Sequence, residues 1–155
     1  MANFGVYFEI TNNLGHDLSY VGSDLDDATY DGPQTIPGNN QVTEVHLDDP
    51  HFAEGASGTV YFIAQLKGVI RKYAWYGSCP VGSDNSASGP GITNWTGPHG
   101  HPTYISIYID GNTPGWTTLG ADAAPTHKEI KAAAAGKTPS NPKKMVKFKQ
   151  PKARK

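Results

Sequence analysis

Aromatic side chains are concentrated in one short segment of the chain, which contains Tyr73, Trp75 and Tyr76. Tyrosine and tryptophan combine an apolar ring with a polar atom, and this chemistry suits a boundary between water and an apolar surface. The same rings are also common in protein interiors, where they contribute a large buried area. Two interpretations therefore remain open, an aromatic binding surface and the core of a sheet structure.

Side chains that could bind a metal or act as a nucleophile lack the spacing that this chemistry needs. His99 and His101 lie two residues apart in a turn segment, without the further ligands of a zinc site. Cys79 precedes a proline, and no histidine partner can be inferred for it. Four carboxylates do not match a calcium-binding loop: Asp24, Asp26, Asp27 and Asp31. We therefore expect no metal, no cofactor and no enzymatic activity.

The elements that must position these side chains are predicted to be β-strands. Residues 59–66 alternate between two faces and predict a strand, Lys67 and Gly68 predict a tight turn, and residues 69–76 predict a second strand. The other predicted strands are 6–11, 17–21, 41–47, 92–96, 103–110 and 116–119, with loops at 23–40 and 81–91. Eighteen glycines and twelve prolines are typical of many short strands joined by turns. The sequence thus predicts an all-β fold, a single-domain antiparallel β-sandwich over residues 1–120.

Charge divides the chain near residue 120. Residues 1–120 contain three cations, Lys67, Arg71 and Lys72, against twelve acidic residues, a net charge of −9. Residues 121–155 contain ten cations and two acidic residues, a net charge of +8. Thr126 and Glu129 form a capping box before an alanine-rich segment, which predicts a short C-terminal helix near 126–136. The remainder is rich in lysine and proline and predicts an extended basic tail.

The tail contains one apolar stretch, residues 145–148, which predicts docking, as an added edge strand, on an acidic surface. The acidic body could supply that surface in the same molecule or in a neighbour, and the second case gives a homo-oligomer. The residues expected to dock are Lys143, Lys144, Val146, Phe148 and Lys152. Nucleic acid is not favoured as a partner, because Phe148 is the one aromatic residue among the basic residues of the tail and no nucleic-acid-binding fold precedes it.

The first residues of the chain show neither the basic region nor the apolar region of a signal peptide. We therefore expect synthesis in the cytoplasm without a signal peptide, followed by release or by storage in an inclusion. With a single cysteine, Cys79, we expect no intrachain disulfide.

Three segments, taken in order, resemble the aegerolysin family, and most closely its small bacterial members that act in binary insecticidal toxins. Residues 6–16 read VYFEITNNLGH and resemble the family's opening strand and turn. Residues 54–62 read EGASGTVYF and resemble the entry to a central strand, and residues 73–83 read YAWYGSCPVGS and resemble an aromatic strand that ends in a Cys-Pro-x-Gly-Ser loop. The likeness covers about three quarters of the chain.

The resemblance implies a β-sandwich that recognises membrane lipids, as the small component of a two-part toxin with a larger pore-forming partner. It implies lipid-facing roles for Tyr73, Trp75, Tyr76, Trp95 and Trp116. The sequence departs from fungal members at Val81, where they have an aromatic residue, and the basic tail matches no family feature. Two alternatives remain, a structural protein that self-assembles through its basic tail, and a carbohydrate-binding module that uses exposed aromatic residues and acidic loops.

Overall fold

The computed structural model describes residues 3–50 and 54–118, and in that part of the chain it contains eleven β-strands and no helix. The strands are β1 (Val6–Asn13), β2 (Leu18–Asp26), β3 (Thr29–Asp31), β4 (Thr35–Ile36), β5 (Val42–Asp48), β6 (Ser57–Leu66), β7 (Val69–Ser78), β8 (Ser86–Ser88), β9 (Ile92–Trp95), β10 (Thr103–Asp110) and β11 (Thr117–Thr118). The all-β prediction is confirmed for the described residues.

The strands form two sheets. The first sheet has the order β3-β5-β1-β10-β9, and the second has the order β11-β7-β6-β2-β4 with β8 added to β7. All pairs are antiparallel except β1 and β10, which run parallel over the whole of both strands, from Val6 opposite Thr103 to Asn13 opposite Asp110. The predicted antiparallel arrangement is therefore confirmed for the other pairs of the described residues and not for this one, because residue alternation gives the face of a strand but not its direction beside a neighbour.

Aromatic side chains dominate the interior between the sheets. The largest of the buried side chains belong to Trp75, Tyr20, Tyr73, Phe8 and Phe62. The rings of Phe62 and Trp75 lie 6.0 Å apart between centroids, and those of Tyr73 and Trp75 lie 5.7 Å apart. The indole Nε1 of Trp75 donates a hydrogen bond of 2.7 Å to the carbonyl oxygen of Pro90, so the one polar atom of this ring is satisfied.

The turn between β6 and β7 is the two-residue turn predicted from Lys67 and Gly68. Both residues have positive φ angles, 50° and 79°, and the flanking residues Leu66 and Val69 are paired. Positive φ at both central positions is typical of the hairpin turn whose twist matches that of the adjoining strands. This turn fixes the register of the longest pair of strands in the fold.

Two predicted loops contain strands. Within residues 23–40, β2 continues to Asp26 and two short strands follow, β3 and β4, and within residues 81–91 lies β8. These strands were not predicted because the segments are acidic or rich in glycine. A short edge strand needs only two or three residues whose backbone groups pair with a neighbour, so it leaves no clear pattern of side chains. The predicted helix near 126–136, the tail and the docking residues Lys143, Lys144, Val146, Phe148 and Lys152 lie outside the described residues.

Candidate functional site

Two of the five aromatic residues assigned to lipid contact lie in the core. Tyr73 and Trp75 have no exposed surface, because they occupy the face of β7 that packs against the first sheet. Their assignment as lipid-facing residues is corrected accordingly. Both faces of β7 carry aromatic residues, so the sequence did not show which of the two faces lies inside.

The other three assigned residues are scattered over the fold. Tyr76 is half-buried on the opposite face of β7, where it pairs with Thr59. Trp95, the last residue of β9, pairs with Ile105 of β10 and is partly buried against the core. Trp116 is also partly buried against the core, and it is the one that lies against a charged side chain, since the guanidinium carbon of Arg71 lies 4.3 Å from its ring centroid.

Trp116 belongs to a group of apolar, aromatic and cationic side chains around the β6–β7 hairpin. We call this group the cationic end, and it consists of Leu66, Lys67, Val69, Arg71, Lys72 and Trp116. It includes every lysine and arginine of the described residues. Val69 is 39% exposed, so the group also presents an apolar side chain to the solvent.

Arg71 lines a cleft of about 290 Å³ together with Lys67, Val69 and Trp116. Its Nη1 donates hydrogen bonds to the carbonyl oxygen of Gly111, at 3.1 Å, and to the hydroxyl of Tyr73, at 3.3 Å. Its Nε is buried and has no hydrogen-bond partner among the described residues. The two hydrogen bonds and the contact with Trp116 orient the guanidinium in the cleft wall, where its positive charge can bind an anionic group.

Lys72 lies on the outer face of the second sheet, with its Nζ 5.5 Å from the ring centroid of Tyr61. Burial lowers the pKa of Lys72 from its ordinary value. Burial raises the pKa of Tyr61, and the charge of Asp24 acts in the same direction. The ammonium group of Lys72 is thus partly removed from water, a state in which an additional anionic neighbour would stabilise its charge.

The outer face of the first sheet carries a second group, which the sequence analysis did not single out. We call it the tyrosine face, and it consists of Tyr7, Glu9, Val42, Glu44, His46, Tyr104 and Tyr108. The ring of Tyr7 stacks on His46 at 4.1 Å and on Tyr104 at 4.9 Å. The only sequence signal for this group was the alternation along the strands, which placed Tyr7, Tyr104 and Tyr108 on the face opposite to that of the apolar residues.

Of the side chains considered for metal binding or nucleophilic chemistry, His99 and His101 line one cleft of about 290 Å³ together with Asp84, and Cys79 does not line it. Nδ1 of His99 lies 3.7 Å from Asp84, while the ring of His101 packs on Phe4 with centroids 4.4 Å apart. No group of three potential metal ligands occurs among residues 3–50 and 54–118. Cys79 is buried. The absence of metal, cofactor and enzymatic activity stays a prediction.

No protein-family model matches this chain, and no curated protein matches it. The likeness to aegerolysins therefore rests on the three sequence segments described above. Among the described residues, no helix has both the length and the apolar character needed to cross a membrane.

Proposed function

We propose that this protein binds a membrane surface through its cationic end and that the ligands are phosphate-bearing lipid headgroups. The observation that carries the proposal is the meeting of Lys67 and Arg71 with Trp116 and exposed Val69 around one cleft, with Lys72 next to Arg71 on the other face of β7. Lysine and arginine bind phosphate oxygens, and tryptophan favours the boundary between headgroups and acyl chains. The cleft therefore combines both kinds of contact that an interfacial lipid site needs.

Carboxylates lie at both ends of the body, since Asp110 adjoins the Gly111 carbonyl that Arg71 binds and Asp17 lies near Gln65 and Ile70. The twelve acidic residues of the described chain include Asp26 and Asp48 at the opposite end of the sandwich, where β6 begins. Ten residues of strand separate that end from Leu66, a distance of about 30 Å. This separation exceeds the screening length of about 8 Å at physiological salt, so Asp26 and Asp48 repel an anionic surface only weakly when the cationic end contacts it.

The family resemblance supports the same class of ligand. It extends the proposal to a role as the small component of a two-part pore-forming toxin, with a larger protein as partner. The proposed site differs from the one that the resemblance implies. Trp116 belongs to both, whereas Tyr73 and Trp75 are buried and are not part of the proposed site.

The carbohydrate interpretation has less support. Sugar-binding surfaces use free faces of aromatic rings, and both faces of the Tyr7 ring are covered, by His46 and by Tyr104. The exposed tyrosines of this face, Tyr104 and Tyr108, are diagonal neighbours of the carboxylate of Glu9, which favours a cationic ligand over a neutral one.

Vesicle pelleting with two matched valine variants tests the lipid proposal. Val69 and Val81 are exposed to similar degrees, 39% and 43%, but only Val69 lies at the cationic end. We expect Val69→Ser to weaken binding to vesicles about tenfold, the loss expected from one valine no longer buried in lipid. Val81→Ser should bind like the wild type. The vesicles are phosphatidylcholine alone, phosphatidylcholine with phosphatidylserine, and phosphatidylcholine with sphingomyelin and cholesterol.

A charge variant separates the electrostatic contribution from the apolar one. Lys67→Gln should weaken binding to the phosphatidylserine vesicles at low salt and have little effect at high salt, because salt screens an exposed charge. The proposal fails if the wild type pellets with none of the vesicles, or if the two valine variants lose binding equally.

A further inference from the structure

Two carboxylates face each other on the tyrosine face. Glu9 on β1 and Glu44 on β5 are direct partners in the antiparallel ladder, so their side chains project from the same side of the sheet. Like charges in this position destabilise a sheet. The lysines and arginine of residues 3–50 and 54–118 all belong to the cationic end, so no described cation offsets this repulsion. The hydroxyl of Ser106 lies 3.5 Å from Glu9, which is a weak neutral contact.

Apolar and aromatic side chains flank the two carboxylates on both sides. On one side lies the row formed by His46, Tyr7 and Tyr104, and on the other side lies the row formed by Val42, Thr11 and Tyr108. Val42 is 67% exposed, Tyr104 44% and Tyr108 38%, which makes three of the five large hydrophobic side chains exposed among the described residues. The surface therefore suits a ligand that has cationic groups next to apolar ones.

We propose that the chain's own segment 143–149 docks on the tyrosine face of the same molecule. This segment reads KKMVKFK and places four lysines around Met145, Val146 and Phe148. Its lysines complement Glu9 and Glu44, and its apolar side chains complement the exposed tyrosines and Val42. Docking would remove the repulsion between the two carboxylates, which gives the contact an electrostatic driving force in addition to the buried apolar area.

The connection is long enough for contact within one molecule. The described chain ends at Thr118 on β11, an edge strand of the second sheet, and 24 residues separate it from Lys143. Twenty-four residues can extend to at most about 80 Å, while the body has a radius of gyration of about 13 Å, so the segment can reach the first sheet of its own molecule. A tether that can span the distance favours the molecule's own face over a second copy in dilute solution.

Carbodiimide cross-linking of the full-length chain, followed by peptide mapping of the monomer band, tests this proposal. The reagent joins a lysine to a carboxylate that it already contacts. We expect links from Lys143, Lys144, Lys147 or Lys149 to Glu9 or Glu44, with a yield that falls as salt is added. Links confined to dimers would overturn docking within one molecule. Links spread over Asp26, Asp31 and Glu54, or no links from the segment, would overturn the tyrosine face as the docking surface.

Two variants that leave every cross-linked group in place separate docking from chance contact. Tyr104→Ser and Phe148→Ser should each lower the yield of these links about fivefold, the effect of losing roughly 1 kcal/mol of contact. Val81→Ser, an exposed valine away from this face, is the matched control and should leave the yield unchanged. Equal yields in all three variants would overturn the proposal. The result is independent of lipid binding, because the tyrosine face and the cationic end belong to different sheets.

Discussion

Cys79 directly follows β7 and has no exposed surface, and its backbone nitrogen donates a hydrogen bond of 2.8 Å to the carbonyl oxygen of Ala56. Burial raises the pKa of the Cys79 thiol, and the charge of Asp49 acts in the same direction, while hydrogen bonds with Thr103 act against it. Because the thiolate is the reactive form, both burial and the raised pKa reduce reactivity near neutral pH.

We predict that native Cys79 is alkylated slowly by iodoacetamide. At pH 8 the reaction should be on the order of 100-fold slower than for the urea-unfolded chain, since it requires local opening of the fold. The rate should still be rising with pH above 9, because a raised pKa moves thiolate formation to higher pH. Mass spectrometry of timed samples measures the rate. Labelling at equal rates in folded and unfolded protein would contradict this prediction.

At the scale of elements, the distance between β7 and the first sheet depends on Gly77. A Cβ atom built at this position would lie 2.5 Å from Cγ1 of Val6 and 2.8 Å from Cδ1 of Ile105. Such distances require the side chains of the facing sheet to move, and this part of the core has no free volume in which to place a methyl group.

We predict that Gly77→Ala lowers the free energy of unfolding by about 1–3 kcal/mol, the usual cost of an extra methyl group in a packed core. Gly111→Ala is the matched control, because no atom lies within 4 Å of the position that its added methyl group would take and its φ is not in the left-handed region. It should leave stability unchanged or slightly raised. Urea denaturation of both variants measures the difference, and an equal loss in both would show that close packing is not the cause.

At the scale of the whole molecule, β1 joins distant parts of the chain. It pairs with β5 on one side and with β10 on the other, and Phe8 projects from it into the shared core with no exposed surface. Trp75 packs into the same core from the second sheet. If residues 1–120 form one domain, the loss of Phe8 should weaken both sheets together.

We predict that Phe8→Ala costs about 3–5 kcal/mol of stability and that both sheets still unfold in a single transition. Tryptophan fluorescence, which includes the signal of Trp75 in the second sheet, and far-ultraviolet circular dichroism should give the same shifted urea midpoint. Thr11→Ala, on the outer face of the same strand, is the control and should cost less than about 1 kcal/mol. Separate transitions for the two signals would contradict a single cooperative domain.

By itself, the sequence determined the elements that depend on neighbouring residues. The alternation from Thr103 to Asp110 predicted a strand with both of its ends, and the isoleucines of that strand are buried as expected. Lys67 and Gly68 predicted the hairpin turn for the same reason, since turn conformation depends on the preferences of two adjacent residues. Charge counting also separated the acidic body from the basic tail without any structure.

Only the tertiary structure decided which surfaces the molecule presents. It put Tyr73 and Trp75 inside, gathered Arg71 and Trp116 at one cleft, and stacked Tyr7 between residues from two distant strands. Each of these outcomes depends on which strands become neighbours, in which direction and in which register. Those choices minimise the exposed apolar area of the whole chain, so no window of adjacent residues contains the information that fixes them.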